Sequence, residues 1–109
     1  MKKGLMIAFL ALLLFGCSKP VPSDRQAYVG VWESPEMRLL ILADGTVDYK
    51  RLKNGGTTSI NATLQEFEGD DFIVGFGFIN TRFSVTQPPQ EVDGQYQMVV
   101  DGVLLTKKM

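Results

Sequence analysis

Histidine is absent from the 109-residue chain, and cysteine occurs once, at Cys17. Without histidine, a Ser-His or Cys-His nucleophile pair cannot be assembled, and the usual zinc ligand set is missing. With one cysteine, no disulfide can close within the chain, so an apolar core alone must hold it folded. A surplus of either charge is lacking too. Eleven Lys and Arg face twelve Asp and Glu, a formal net charge of −1. That balance gives no electrostatic footprint for nucleic acid. The length excludes two or more domains and any large, cavity-rich enzyme. Between Tyr28 and Met109 no stretch carries a convincing helical period. Carboxylates remain as catalytic groups but no pair stands out, and the expectation is no cofactor, no metal and no catalytic activity.

The N-terminus has its own pattern. Lys2 and Lys3 precede an uncharged apolar run from Leu5 to Phe15. As a helix such a run reaches only about 16 Å, against about 30 Å of bilayer hydrocarbon. It suits the apolar region of an export signal better than a membrane span. Leu14-Phe15-Gly16-Cys17 follows, and it resembles the lipobox of bacterial lipoproteins. The resemblance implies a diacylglycerol group on the Cys17 thiol, cleavage after Gly16, and acylation (palmitate, for example) of the new amino group. Several acyl chains anchor stably, at about 0.8 kcal/mol per buried CH₂. Ser18 rather than Asp follows the cysteine, which in that family implies sorting to the outer membrane. The expected organisation is therefore a signal peptide over 1–16, a lipidated N-terminus and linker over 17–27, and a folded domain over 28–109. Pro20 and Pro22 among polar neighbours make the linker an extended spacer.

From Tyr28 onward the period is two. Val29 to Glu33, Met37 to Leu42, Val47 to Leu52 and Ile60 to Gln65 read as strands. Phe72 to Ile79, Arg82 to Gln87, Gln95 to Val100 and Val103 to Thr106 follow. Asp44-Gly45, Asn54-Gly55-Gly56, Asp93-Gly94 and Asp101-Gly102 separate them as hairpin turns. Pro88-Pro89 is expected to end its strand. About eight short strands with turns every eight to twelve residues predict an all-β fold. It is an antiparallel meander closing into a small barrel or folding into a sandwich, and the barrel is preferred.

Gly30-Val31-Trp32 near the first strand resembles the Gly-x-Trp signature of lipocalins. That resemblance implies a tryptophan plugging one barrel end beneath a basic residue from a late strand. Lys107 is the nearest candidate in that order. Read from the residues alone, Trp32 is the largest core side chain. In Phe72 to Ile79, period two puts Phe72, Val74, Phe76 and Phe78 on one face. These phenylalanines either fill a barrel or line an apolar ligand site. Gly75 and Gly77 in such a run signal a bend or bulge. Glu66, Glu68, Asp70 and Asp71 form an acidic turn without the spacing of a calcium loop. Lys50, Arg51 and Lys53 form a small basic hairpin end, and Asn61-Ala62-Thr63 matches a glycosylation sequon.

The residues most worth following are thus Cys17 for lipidation, and Trp32, Phe72, Phe76 and Phe78 for core or ligand. The expected role is a non-enzymatic binding or interaction module. It would sit on the periplasmic face of the outer membrane, held by its lipid, with another envelope protein as partner. The competing expectation is a lipocalin-like carrier of a small apolar ligand. A filled core favours the first and an internal void the second.

Overall fold

The computed structural model describes residues 19–108 apart from Gly77, with the Phe76 side chain also outside the described part. Cys17 and the signal segment 1–16 lie outside the described residues. A 3₁₀ turn over Ser23–Tyr28 leads into nine strands. These are β1 Gly30–Glu33, β2 Met37–Ile41, β3 Thr46–Lys53, β4 Gly56–Glu68, β5 Asp71–Phe76, β6 Ile79–Phe83, β7 Val85–Val92, β8 Gln95–Val100 and β9 Val103–Lys108. They form one antiparallel sheet in the order β6-β5-β4-β3-β2-β1-β9-β8-β7, curled into a half-barrel.

The turns follow from their residues. Asn54-Gly55, Asp93-Gly94 and Asp101-Gly102 each place two successive residues at positive φ. That is the backbone of a two-residue type I′ hairpin, whose twist matches the strands. The β2–β3 turn is fixed by Asp44 Oδ1, which accepts from the Thr46 N–H at 2.9 Å.

The strand count and two boundaries differ from the sequence expectation. Phe72 to Ile79 is not one strand. It is most of β5, a turn at Phe78, and the start of β6. Period-two apolar alternation continues through such a turn, so hydropathy alone does not show it. Pro88 and Pro89 do not end a strand. They sit inside β7, where the register against β8 skips between Gln87 and Gln90. β7 is an edge strand, and proline is tolerated at an edge bulge. β4 also starts four residues earlier than expected, because Gly56–Ser59 continue the hairpin with β3.

β6 and β7 are the two edges of the sheet, yet only Ser84 separates them in the chain. β6 pairs with β5 alone and β7 with β8 alone. Counting strand directions through the antiparallel order makes β6 and β7 point the same way. They behave as one strand kinked at Ser84 that changes partner at the kink. Two aspartates hold that corner. Asp71 Oδ1 accepts from Val85 N–H at 2.7 Å. Asp101 Oδ1 accepts from Ser84 N–H at 2.9 Å, and Asp101 N–H donates to the Ser84 carbonyl at 2.7 Å.

The sheet has two ends. Val21 N–H donates to the Ala43 carbonyl at 3.0 Å, so the linker meets the end that carries the β2–β3 and β4–β5 turns. The β1–β2, β3–β4 and β5–β6 turns lie at the distal end, while the β8–β9 turn meets the Ser84 corner through Asp101. The concave face holds the core: Trp32, Leu39, Val47, Leu64, Phe72, Val74, Phe83, Met98, Val100 and Leu105 are all buried. Among the described residues no polar or charged side chain is buried with them.

Candidate functional site

The linker end of the half-barrel is closed around Trp32. β1 and β9 pair antiparallel with Trp32 directly opposite Lys107. The Lys107 ammonium lies 5.0 Å from the Trp32 ring centroid and 5.1 Å from that of Tyr96, and it donates to the Ala27 carbonyl at 2.9 Å. Trp32 Nε1–H donates to the Tyr28 carbonyl at 2.8 Å, so the indole has no unsatisfied polar atom. Gly30 makes room for the lysine stem. A Cβ there would stand 3.2 Å from Lys107 Cδ and Cε, and φ of +143° is hostile to any other residue. Burial pulls the Lys107 pKa below its ordinary value. Trp32 and Lys107 thus pack against one another, cation over ring.

Behind this plug the interior is filled. Phe72 stacks on Phe83 at 5.0 Å between ring centroids, and Phe83 meets Tyr49 at 5.0 Å. Tyr28 stands edge-on to Phe67 at 4.9 Å and to Phe72 at 6.2 Å. Its hydroxyl donates to the Asp70 carbonyl at 2.8 Å. Burial, then the nearby Asp70 charge, pushes the Tyr28 pKa up to about 12.

Trp32 and Phe72 therefore share one core, and Phe76 is the last residue of β5. Phe78 is corrected: it does not join the inward face. It sits on the β5–β6 turn, fully exposed beside the 63%-exposed Ile79. The alternation that put it inward stops where the chain reverses.

The acidic turn is a structural clamp. Arg82 reaches Glu68 Oε1 at 2.6 Å and Asp71 Oδ2 at 2.9 Å. The Val85 N–H and then Arg82 hold the Asp71 carboxyl below its usual range, and hydrogen bonds to Asp71 and then Glu68 raise Arg82. No three His, Cys, Asp or Glu side chains come together in a metal-holding group among the described residues.

One hollow lies on the outer side of the half-barrel. It measures about 480 Å³ and is lined mainly by outward positions of β2, β3 and β4: Arg38, Leu40, Asp48, Lys50, Ser59 and Asn61. Sequence reasoning did not find it, because the two hairpins that shape it pair only in the folded sheet. A smaller hollow of about 220 Å³ lies beside the β1–β2 turn. Of the basic hairpin end, Arg51 is different from its neighbours. Its side chain is 21% exposed, its nearest guanidinium nitrogen is 3.9 Å from Glu36, and its Nε is buried with no hydrogen-bond partner among the described residues.

No protein-family model matches the chain, and neither a curated protein nor a solved structure matches it.

Proposed function

We propose that the chain is a lipid-anchored protein of the bacterial cell envelope. It is held through Cys17 at the periplasmic face of the outer membrane, and its β domain serves as a non-enzymatic binding module for another envelope protein. The lipobox-like Leu14-Phe15-Gly16-Cys17 supports the anchor. The observation that carries the binding role is the filled interior. Stacked phenylalanines and the buried Trp32 occupy the space a carrier would keep empty, while the 480 Å³ hollow faces outward. The linker meets one end of the sheet, which supports a tether at that end.

A second reading, a lipocalin-like carrier of a small apolar ligand, draws on the Trp32–Lys107 pair, which resembles the plug of those barrels.

Two measurements test the proposal. Cys17→Ala should leave the membrane fraction and lose the mobility shift of lipidation; retention of both would refute the anchor. Native mass spectrometry of the detergent-extracted protein should give the bare acylated chain, with an envelope protein recovered by cross-linking in cells. A reproducible extra lipid mass would favour the carrier.

A further inference from the structure

β4 changes partner along its length. It pairs with β3 from Gly56 to Thr63, and with β5 only from Thr63 to Glu68. Among the described residues, nothing pairs with the other side of β4 from Gly56 to Ala62. Hairpin geometry tells which groups are left free there. Lys53 and Gly56 flank the two-residue Asn54-Gly55 loop, so that pair exchanges hydrogen bonds, and bonding alternates from it. Thr58 and Ile60 therefore face β3. Thr57, Ser59 and Asn61 turn their N–H and C=O groups to the open edge.

The other two edges of the sheet are guarded. β7 carries Pro88, Pro89 and register skips, and β6 is five residues long with Arg82 on it. Short strands, prolines and bulges are the devices that keep edges from pairing. The β4 edge has none of them. It keeps an unbroken register against β3, is exposed but for the half-buried Ile60, and is uncharged and rich in β-branched residues, Gly-Thr-Thr-Ser-Ile-Asn.

We infer that this edge of β4 accepts an extended, acidic segment of a partner protein by strand addition. Charge selects the occupant. The β3 half of the hairpin carries Lys50, Arg51 and Lys53 against Asp48. Lys50 stands opposite Ser59 on the outward face, at the rim of the 480 Å³ hollow. Arg51 stands opposite Thr58 on the inward face, with its unpartnered buried Nε. Carboxylates alternating along an added strand all fall on one face, about 10 Å from β3 with β4 between, where Lys50 on the outward side or Arg51 on the inward side attracts them, while the main chain supplies affinity. A second copy of this chain would bring the same cations against themselves. The inference rests on the reading of the domain as a binding module.

The test is fluorescence anisotropy of the full, processed chain in detergent. The probe is a labelled peptide of about ten alternating valine and glutamate residues. It should bind, and a valine–lysine counterpart should bind roughly tenfold or more weakly. Ser59→Pro removes an outward N–H without touching the β3 ladder, and it should abolish binding with an unchanged melting curve. The valine–glutamate peptide N-methylated at alternate residues should fail on the unaltered protein, a control that needs no variant to fold. Equal binding of the N-methylated or lysine peptide, full binding by Ser59→Pro, or no binding at all would overturn the inference. So would a dimer that Ser59→Pro makes monomeric, since the edge would then serve a second copy. If the inference fails while an envelope protein still cross-links in cells, the binding-module reading stands. Co-purified lipid would remove that reading as well.

Discussion

Lys107 lies directly across the ladder from Trp32 and folds its ammonium over the indole, 5.0 Å from the ring centroid. The pair joins a strand near the start of the folded domain to the strand at its end. Trp32 is the only tryptophan, so its fluorescence reports this one junction.

Trp32→Ala should cost about 3–5 kcal/mol of folding stability, the range for deleting a buried tryptophan. Urea denaturation followed by far-UV circular dichroism measures it. A loss below about 1 kcal/mol would mean the residue is not a core element. Lys107→Met keeps the stem but drops the cation and its bond to Ala27, and should cost about 1 kcal/mol while altering the emission of Trp32.

Gly30→Ala should destabilise by about 1–3 kcal/mol, through its left-handed backbone and the displaced Lys107 stem. The same variant combined with Lys107→Ala should lose less than the two separate effects added, because the lysine stem is the atom group that the new methyl meets. Strict additivity in a double-mutant cycle would contradict this contact.

Alkali should weaken the fold through Tyr28. Its folded pKa is raised to about 12 from an ordinary value near 10. The stability this contributes is complete below pH 10 and is lost as pH rises toward 12. Lys107, lowered by burial, acts with the opposite sign, because losing its proton is easier in the folded chain. Tyr28→Phe should be less stable at pH 7, having lost the bond to Asp70, and its melting temperature should fall less between pH 10 and 12. Parallel curves for the two proteins would remove Tyr28 from the alkaline transition.

Acid should act through Asp71. The Val85 N–H and Arg82 depress its carboxyl, so its contribution is present above the ordinary aspartate range and disappears as pH falls through the lower folded value. Asp71→Asn should lower the melting temperature at pH 7 and flatten the acid limb. A variant with the wild-type acid limb would mean that this clamp does not hold the corner at Ser84.

Phe78→Ser should leave stability within about 0.5 kcal/mol, since the ring is fully exposed. A larger loss in thermal melting would restore Phe78 to the core.

The sequence made the all-β class, most turns and the burial of Trp32 and Phe72 legible, because each depends on local chemistry. Asp-Gly and Asn-Gly set hairpins by their own backbone preferences, and alternation sets the inward face. Lys107 could be named because a family resemblance supplied its partner. What stayed hidden was relational. The chain turns at Phe78 without breaking apolar alternation. Pro88 and Pro89 are admissible only because β7 has one free side. The outer hollow and the open side of β4 arise from where neighbouring strands stop, which no window along the chain can show.

The β1–β9 ladder has a last consequence, for the order of assembly. Val103–Lys108 pairs with the first strand and carries β7 and β8 with it, so it unites the six-strand and three-strand parts of the sheet. That contact spans most of the chain and closes late. A chain clipped before Val103 leaves β1 with a bare flank and the Trp32 indole without its cover. β9 thus acts as the clasp, and a product lacking it would carry its own mark for proteolysis.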